Sequence, residues 1–191
     1  MLDLATINAM DTAAFCRAFG PVFERSPWLA ERAFARRPFA SRLDLQLALY
    51  GALQSATGDE KLALLNAHPE LAGREAAAGA MTAESVAEQS SAGLNALARD
   101  ELERLRELNR AYRERFGFPA IIAVRLNRKP AIFGTLEARL RNTREQELQN
   151  AIAQVAEISR LRLTELLGSD PAAPAPGAAA LDHGRPRGRS A

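Results

Sequence analysis

Apolar residues recur every three to four positions along most of this chain, and helix caps punctuate the recurrence. Ser41 precedes Leu45, Leu49 and Leu53 on one stripe, with Leu43, Leu47 and Tyr50 beside it. Asn142-Thr143-Arg144-Glu145 reads as a capping arrangement ahead of Leu148, Ile152, Val155 and Ile158, a stripe that continues to Leu166. Spacing of this kind presents one face of a helix to a core, and an oxygen-bearing side chain before it satisfies the first free N–H groups. The expected fold is therefore all-α, a single-domain compact multi-helix bundle.

Further signals divide the chain. Asn8 is placed to cap a first helix carrying Phe15 and Phe19, ended by Gly20-Pro21. Ser26-Pro27 is an N-cap followed by proline at the first helical position, opening a helix with Trp28, Leu29 and Phe34 that stops before Pro38. Asp59 begins a short helix, Glu60 to Asn66, that delivers the chain to His68. Residues 73–80 read as a loop of small residues. Thr82 caps a helix towards Leu97, and Asp100 to Phe116 forms another, closed by Gly117. Residues 118–124, Phe-Pro-Ala-Ile-Ile-Ala-Val, make a short extended apolar segment, and Thr135 starts the next helix. Residues 1–168 are expected to be the helical domain. Residues 169–191, rich in Pro, Ala, Gly and Arg without periodicity, are expected to be a disordered tail.

The net charge of +2 over 191 residues does not suggest a nucleic-acid binder, which concentrates basic charge on one face. No apolar run approaches the roughly 18 residues of a membrane span, and Met1-Leu2-Asp3-Leu4 lacks the basic start of a secretory leader. These readings point to a cytoplasmic protein without nucleic-acid or membrane partners. The single cysteine, Cys16, reads as a small buried hydrophobe, and it allows neither a disulfide within the chain nor a thiolate metal site.

The second histidine, His183, falls in the tail, so His68 is the only imidazole of the helical part. It sits in His68-Pro69-Glu70-Leu71-Ala72-Gly73. Pro69 restricts His68 to extended backbone, and Gly73 permits a bend just after. Histidine titrates near neutrality, so His68 beside a carboxylate is a candidate proton-transfer pair. Glu88 supplies such a carboxylate. With Ser85 and Gln89 it shares one helical face, which meets either water or a pocket. Arg160 and Arg162 point about 200° apart on the last helix, so at most one can turn inward. A phosphate loop, a Gly-x-Ser-x-Gly elbow and a His-Glu-x-x-His zinc motif are all missing, and neither a metal nor an organic cofactor is expected.

Three stretches together resemble one family: His68 to Gly73; Ser85-Val86-Ala87-Glu88-Gln89 followed by Ala92-Gly93-Leu94; and Asn109-x-x-Tyr112-x-x-x-Phe116-Gly117-Phe118-Pro119. The family is the 2-oxo-4-hydroxy-4-carboxy-5-ureidoimidazoline (OHCU) decarboxylases, and the resemblance spans roughly residues 5 to 167. It implies an all-helical, cofactor-free homodimer acting on a small molecule, in the last step from urate to (S)-allantoin. It further implies His68 as catalytic acid/base with Glu88 as its carboxylate partner. Pro69, the segment Ser85, Val86, Ala87, Glu88 and Gln89, and the backbone of Ala120, Ile121, Ile122, Ala123 and Val124 would line the substrate, with Arg162 rather than Arg160 facing it. The chain departs from the family's frequent Phe-Pro-Phe at Phe118-Pro119-Ala120, which predicts a looser pocket there. Two other readings stay open: a helical lyase for a related ureido or hydroxy acid, and a non-enzymatic helical binding module, which predicts a surface groove and no polar pocket around His68.

Overall fold

A computed structural model describes residues 2–168. Ten α-helices follow one another: α1 Leu4–Ala9, α2 Thr12–Phe19, α3 Trp28–Phe34, α4 Arg42–Gln54, α5 Gly58–Ala67, α6 Arg74–Ala77, α7 Ala83–Ser91, α8 Arg99–Phe116, α9 Lys129–Arg139 and α10 Arg144–Leu167. No strand occurs among the described residues, so the all-α expectation holds. His183 and the expected tail lie outside the described residues.

The longest helix, α10, has 24 residues and a length of about 36 Å at 1.5 Å per residue. The Thr143 hydroxyl and the Gln146 side chain close a reciprocal capping box at its start. Its buried face, through Ala151, Ile152, Val155, Ile158 and Leu163, meets α4, α5 and α8. Helices α2, α3 and α4 pack together around Phe15, whose ring centroid lies 4.5 Å from Phe19, 5.4 Å from Phe34 and 5.9 Å from Phe39. A second aromatic group, Tyr112, Phe116 and Phe118, joins the end of α8 to the segment behind it. Phe15–Phe34, Tyr112–Phe116 and Tyr112–Phe118 meet edge to face, a geometry that adds to the area they bury.

Several boundaries differ from the sequence expectation, each for a local reason. The expected first helix is two helices, because Met10 is extended and Asp11, not Asn8, caps α2. Asn8 instead exchanges two 2.9 Å hydrogen bonds with the backbone of Phe39. Thr57 rather than Asp59 caps α5, again with a capping box. The small-residue stretch after Gly73 contains the one-turn helix α6. Helix α7 ends at Ser91 because Gly93 turns left-handed, well short of Leu97. Helix α9 starts six residues before Thr135, using Pro130 in its first turn, where a missing N–H costs nothing. Residues 118–123 are irregular and fully buried, followed by a 3₁₀ turn at Val124–Leu126.

Gly117 ends α8 at φ +81°, and a Cβ there would meet nothing within 4 Å. Substitution by alanine therefore carries a purely backbone penalty. Gly117→Ala is expected to lower stability by about 1–2 kcal/mol in urea unfolding; an unchanged midpoint would contradict this account of the cap.

Candidate active site

His68 is the residue at which α5 stops. Pro69 excludes helical backbone from its predecessor, and His68 accordingly turns extended at ψ 139°. Its Nδ1 lies 2.8 Å from the carbonyl oxygen of Leu64, one turn back. A carbonyl only accepts, so Nδ1 carries the proton and the neutral ring leaves a lone pair on Nε2. Burial pushes the His68 pKa below its ordinary value. The Leu64 bond and the Glu24 carboxylate oppose that shift, and the Arg162 charge adds to it. His68 is thus a buried, neutral imidazole with a basic nitrogen available.

Helix α7 turns Ser85, Glu88 and Gln89 inward on one face. Arg162 comes from the buried side of α10 and grips Glu88 with two parallel bonds, Nε to Oε1 at 2.7 Å and Nη2 to Oε2 at 2.8 Å. Its Nη1 reaches the carbonyl of Pro21 at 3.1 Å. Arg160, by contrast, pairs with Glu157 at the surface. Glu88 and His68 line one cavity but share no hydrogen bond among the described residues; the Arg162 guanidinium takes the carboxylate.

The acid that sequence reasoning missed is Glu24. It is 1% exposed, and it receives the Arg162 Nη2 at 3.1 Å, the Ser85 hydroxyl at 2.9 Å and the Thr82 hydroxyl at 3.0 Å. Thr82 also caps α7, so Glu24 fixes the start of that helix against α10. Two carboxylates share one guanidinium, which holds the charge on Arg162. Burial opposes that charge, but Glu88 and Glu24 outweigh it and raise the Arg162 pKa above its usual value.

The remaining wall is the irregular segment. Ile121 and Ile122 are buried, and neither N–H finds an acceptor among the described residues, an uncommon state for buried amides. The segment is pinned from behind. Arg139 donates from Nη1 to the Ile121 carbonyl at 2.7 Å, and the Gln154 amide oxygen accepts from the Ala123 N–H at 2.9 Å. Arg139 is itself fixed by fully buried Glu147, which also takes the Tyr112 hydroxyl and the Asn142 amide. Burial alone would raise the Glu147 pKa; the donors from Arg139, Tyr112 and Asn142 reverse this and hold it below its ordinary value.

One cavity collects His68, Pro69, Ser85, Glu88, Gln89 and Arg162 on its polar side. Ala120, Ile121, Ile122 and Val124 face them across it, with Leu71 and Ile158, neither of which had been singled out. Val86 and Ala87 are not part of it: they point outward from α7, Val86 with 44% of its surface exposed. Ala123 is buried but turns its N–H to Gln154 instead. The cavity measures about 30 Å³. That is room for a water or two, against roughly 300 Å³ or more for a ligand pocket; a ligand must part the side chains. No cluster of three His, Cys, Asp or Glu side chains able to hold a metal occurs among the described residues. Cys16 is half-buried rather than buried, and burial, reinforced by Glu31, pushes its thiol pKa up. No described helix is long and apolar enough to cross a membrane.

Because the folded pKa of His68 lies below its unfolded value of about 6.5, the unfolded chain gains a proton first on acidification. The stability due to the neutral ring is present above that pH and fades as pH falls below it. The stability difference between the parent protein and His68→Gln in urea unfolding is expected to shrink from pH 7.5 to pH 5.5. A difference independent of pH would contradict the neutral assignment.

A family model described as OHCU decarboxylase matches residues 8–164. The 2-oxo-4-hydroxy-4-carboxy-5-ureidoimidazoline decarboxylase of Mus musculus is 40% identical over 168 residues, covering 88% of this chain and 94% of the mouse protein. The protein of that name from Haloferax volcanii is 41% identical over 169 residues, covering 88% and 98%. A crystal structure of (S)-allantoin synthase superposes with a TM-score of 0.66 at 29% identity; the match covers 86% of this chain and 54% of that one.

Proposed function

The chain belongs to the OHCU decarboxylase family, and we propose that it converts 2-oxo-4-hydroxy-4-carboxy-5-ureidoimidazoline to (S)-allantoin and carbon dioxide in urate degradation, at the His68 cavity and without a cofactor. The observation that carries the site assignment is the buried imidazole of His68 sharing a cavity with the Glu88–Arg162 pair, which Glu24 holds from outside the cavity. A polar site lined by the buried side chains of His68, Glu88 and Arg162 is not what a groove-binding helical module requires. A cytoplasmic setting is part of the reading and is supported by the single, unpaired Cys16.

The substrate carries a carboxylate and a hydroxyl on one ring carbon, next to the carbon that bears the ureido group. Breaking the bond to the carboxylate releases carbon dioxide and leaves an electron pair, which spreads over the adjacent carbon–nitrogen double bond. One proton from solvent neutralises the resulting ring anion. The remaining change moves the hydroxyl proton to the ureido-bearing carbon, turning the enol into the carbonyl of allantoin. Nε2 of His68 is suited to accept that hydroxyl proton and return it to one face, which sets the S configuration.

Arg162 is the cation available to an anionic substrate, which has to share it with Glu88 and Glu24. Once partly released, Glu88 is placed to accept ring N–H groups rather than to orient His68. The unpaired N–H groups of Ile121 and Ile122 are suited to the carbonyl or ureido oxygens, already positioned by Arg139 and Gln154. Glu24 is a positioning residue: it holds Arg162 and Ser85 and does not line the His68 cavity.

Spontaneous decay of the substrate gives racemic allantoin, so product chirality is the informative readout. Circular dichroism of freshly generated substrate with the protein is expected to develop the signal of one enantiomer. His68→Asn is expected to lower the rate by about 10²-fold or more while far-UV dichroism stays unchanged. A racemate with the parent protein would reject the function, and full activity in His68→Asn would reject the site.

The homodimer is supported by an apolar stripe on α4. Leu43, Leu47 and Tyr50 lie at i, i+4 and i+7 and are 59%, 56% and 47% exposed, a grouping that marks a contact surface. Light scattering is expected to give a dimer mass for the parent protein and a monomer mass for Leu43→Glu/Leu47→Glu. A parent monomer, or an unaltered dimer in the variant, would contradict this assignment.

A further inference from the structure

Away from the His68 cavity, a wider groove of about 440 Å³ runs between α6 and α8. Its walls carry four guanidiniums and two carboxylates: Arg74 from α6, Arg106, Arg110, Arg113 and Glu114 from α8, and Glu70 from the loop after His68. Arg106, Arg110 and Arg113 fall at i, i+4 and i+7, so they share one helical face, where like charges repel. Two other arginines of α8 are matched by acids, Arg99 by Glu103 and Arg104 by Glu137, while Arg115 donates to the Asn142 carbonyl. Arg74, Arg106 and Arg110 have no carboxylate within ion-pair distance among the described residues. Unmatched positive charge lining a concavity focuses the potential there, and guanidinium forks match phosphate and carboxylate oxygens.

We propose that this groove is a second binding site, taking a small anion with at least two negative charges, a polyphosphate or a polycarboxylate. Its natural competitor is already in place. Glu70 Oε1 receives Arg113 Nε at 2.6 Å, while Arg113 Nη1 reaches Asn66 at 3.3 Å. An anion engaging Arg113 must displace that carboxylate. The same residue belongs to the loop that carries His68. The Glu70 carbonyl accepts from Gln89 Nε2 at 3.3 Å and from the Gly73 N–H at 3.1 Å, and Gln89 Oε1 accepts from the Ala72 N–H at 2.8 Å. The loop has little slack, since a Cβ at Gly73 would lie 2.5 Å from that of Glu70. Gln89 also lines the His68 cavity. Occupancy of the groove and the setting of the catalytic loop are therefore linked through Glu70, and such linkage is reciprocal.

Isothermal titration calorimetry of the full chain at low salt, with pyrophosphate in one arm and citrate in the other, tests the proposal. The expected result is saturable binding of one anion per chain, and the tighter arm identifies the phosphate or carboxylate class. Arg106→Ala/Arg110→Ala is expected to weaken binding at least tenfold with unchanged thermal unfolding and unchanged decarboxylation in the absence of anion. Glu70→Gln is expected to tighten binding severalfold by removing the competitor. No binding of either anion, several anions per chain, or an affinity unmoved by the double substitution would overturn the site. An affinity unmoved by Glu70→Gln would overturn the linkage to the loop. The heat signal does not depend on turnover, so these outcomes are separate from any failure of the decarboxylase reading.

Discussion

The guanidinium of Arg162, held inside the protein by Glu24 and Glu88, is the interaction on which the rest of the site depends. Taking three charges out of water is costly, and the cost is offset only when geometry and further hydrogen bonds are good. Here they are. Glu88 is bidentate, Glu24 collects two hydroxyls as well as the guanidinium, and Pro21 takes a remaining donor. The cluster joins three distant stretches of chain, the turn at Glu24, helix α7 and the last helix α10. It therefore sets where the face of Ser85, Glu88 and Gln89 lies relative to His68. Removing one member leaves an uncompensated buried charge, so fold and site are coupled at this point.

A second buried network does the corresponding work for the opposite wall. Arg139, Glu147, Tyr112 and Asn142 hold the Ile121 carbonyl from behind, and Gln154 holds the Ala123 N–H. Irregular backbone inside a protein is tolerated when its polar groups are met. The N–H groups of Ala120, Ile121, Ile122 and Val124 find no acceptor among the described residues, and all four residues line the cavity. Helix α10 contributes to both networks, Glu147 and Gln154 to one and Arg162 to the other. The two walls thus share one rigid element.

Much of this was legible in the sequence, and the gaps have physical causes. Periodicity and caps gave the long helices, because α10 and α4 bury one continuous face each. They gave the short elements poorly. Asn8 looks like a cap and instead pairs with the backbone of Phe39, a partner 31 positions away that no local pattern reveals. Pro130 is a helix-start signal, and α9 begins with it in its first turn rather than at the more obvious Thr135. At the site, the restriction of His68 by Pro69 and the common face of Ser85, Glu88 and Gln89 follow from local rules. Helical phase also explains why Val86 and Ala87 fall outside the cavity: a run of consecutive residues cannot share one face of a helix. Glu24 was invisible because an acid in a turn reads as solvated until three-dimensional contacts surround it. The pairing of Glu88 with Arg162 rather than His68 is likewise a long-range choice, made across 74 positions.

The central claim is that His68 is a neutral imidazole protonated on Nδ1, with Nε2 free to take a proton. Nitrogen-15 NMR of the histidine ring at pH 7 tests it most directly. A pyrrole-type shift is expected for Nδ1 and a pyridine-type shift for Nε2, with titration only below a pH of about 6.5. An imidazolium at pH 7, or a proton on Nε2 in place of Nδ1, would contradict it.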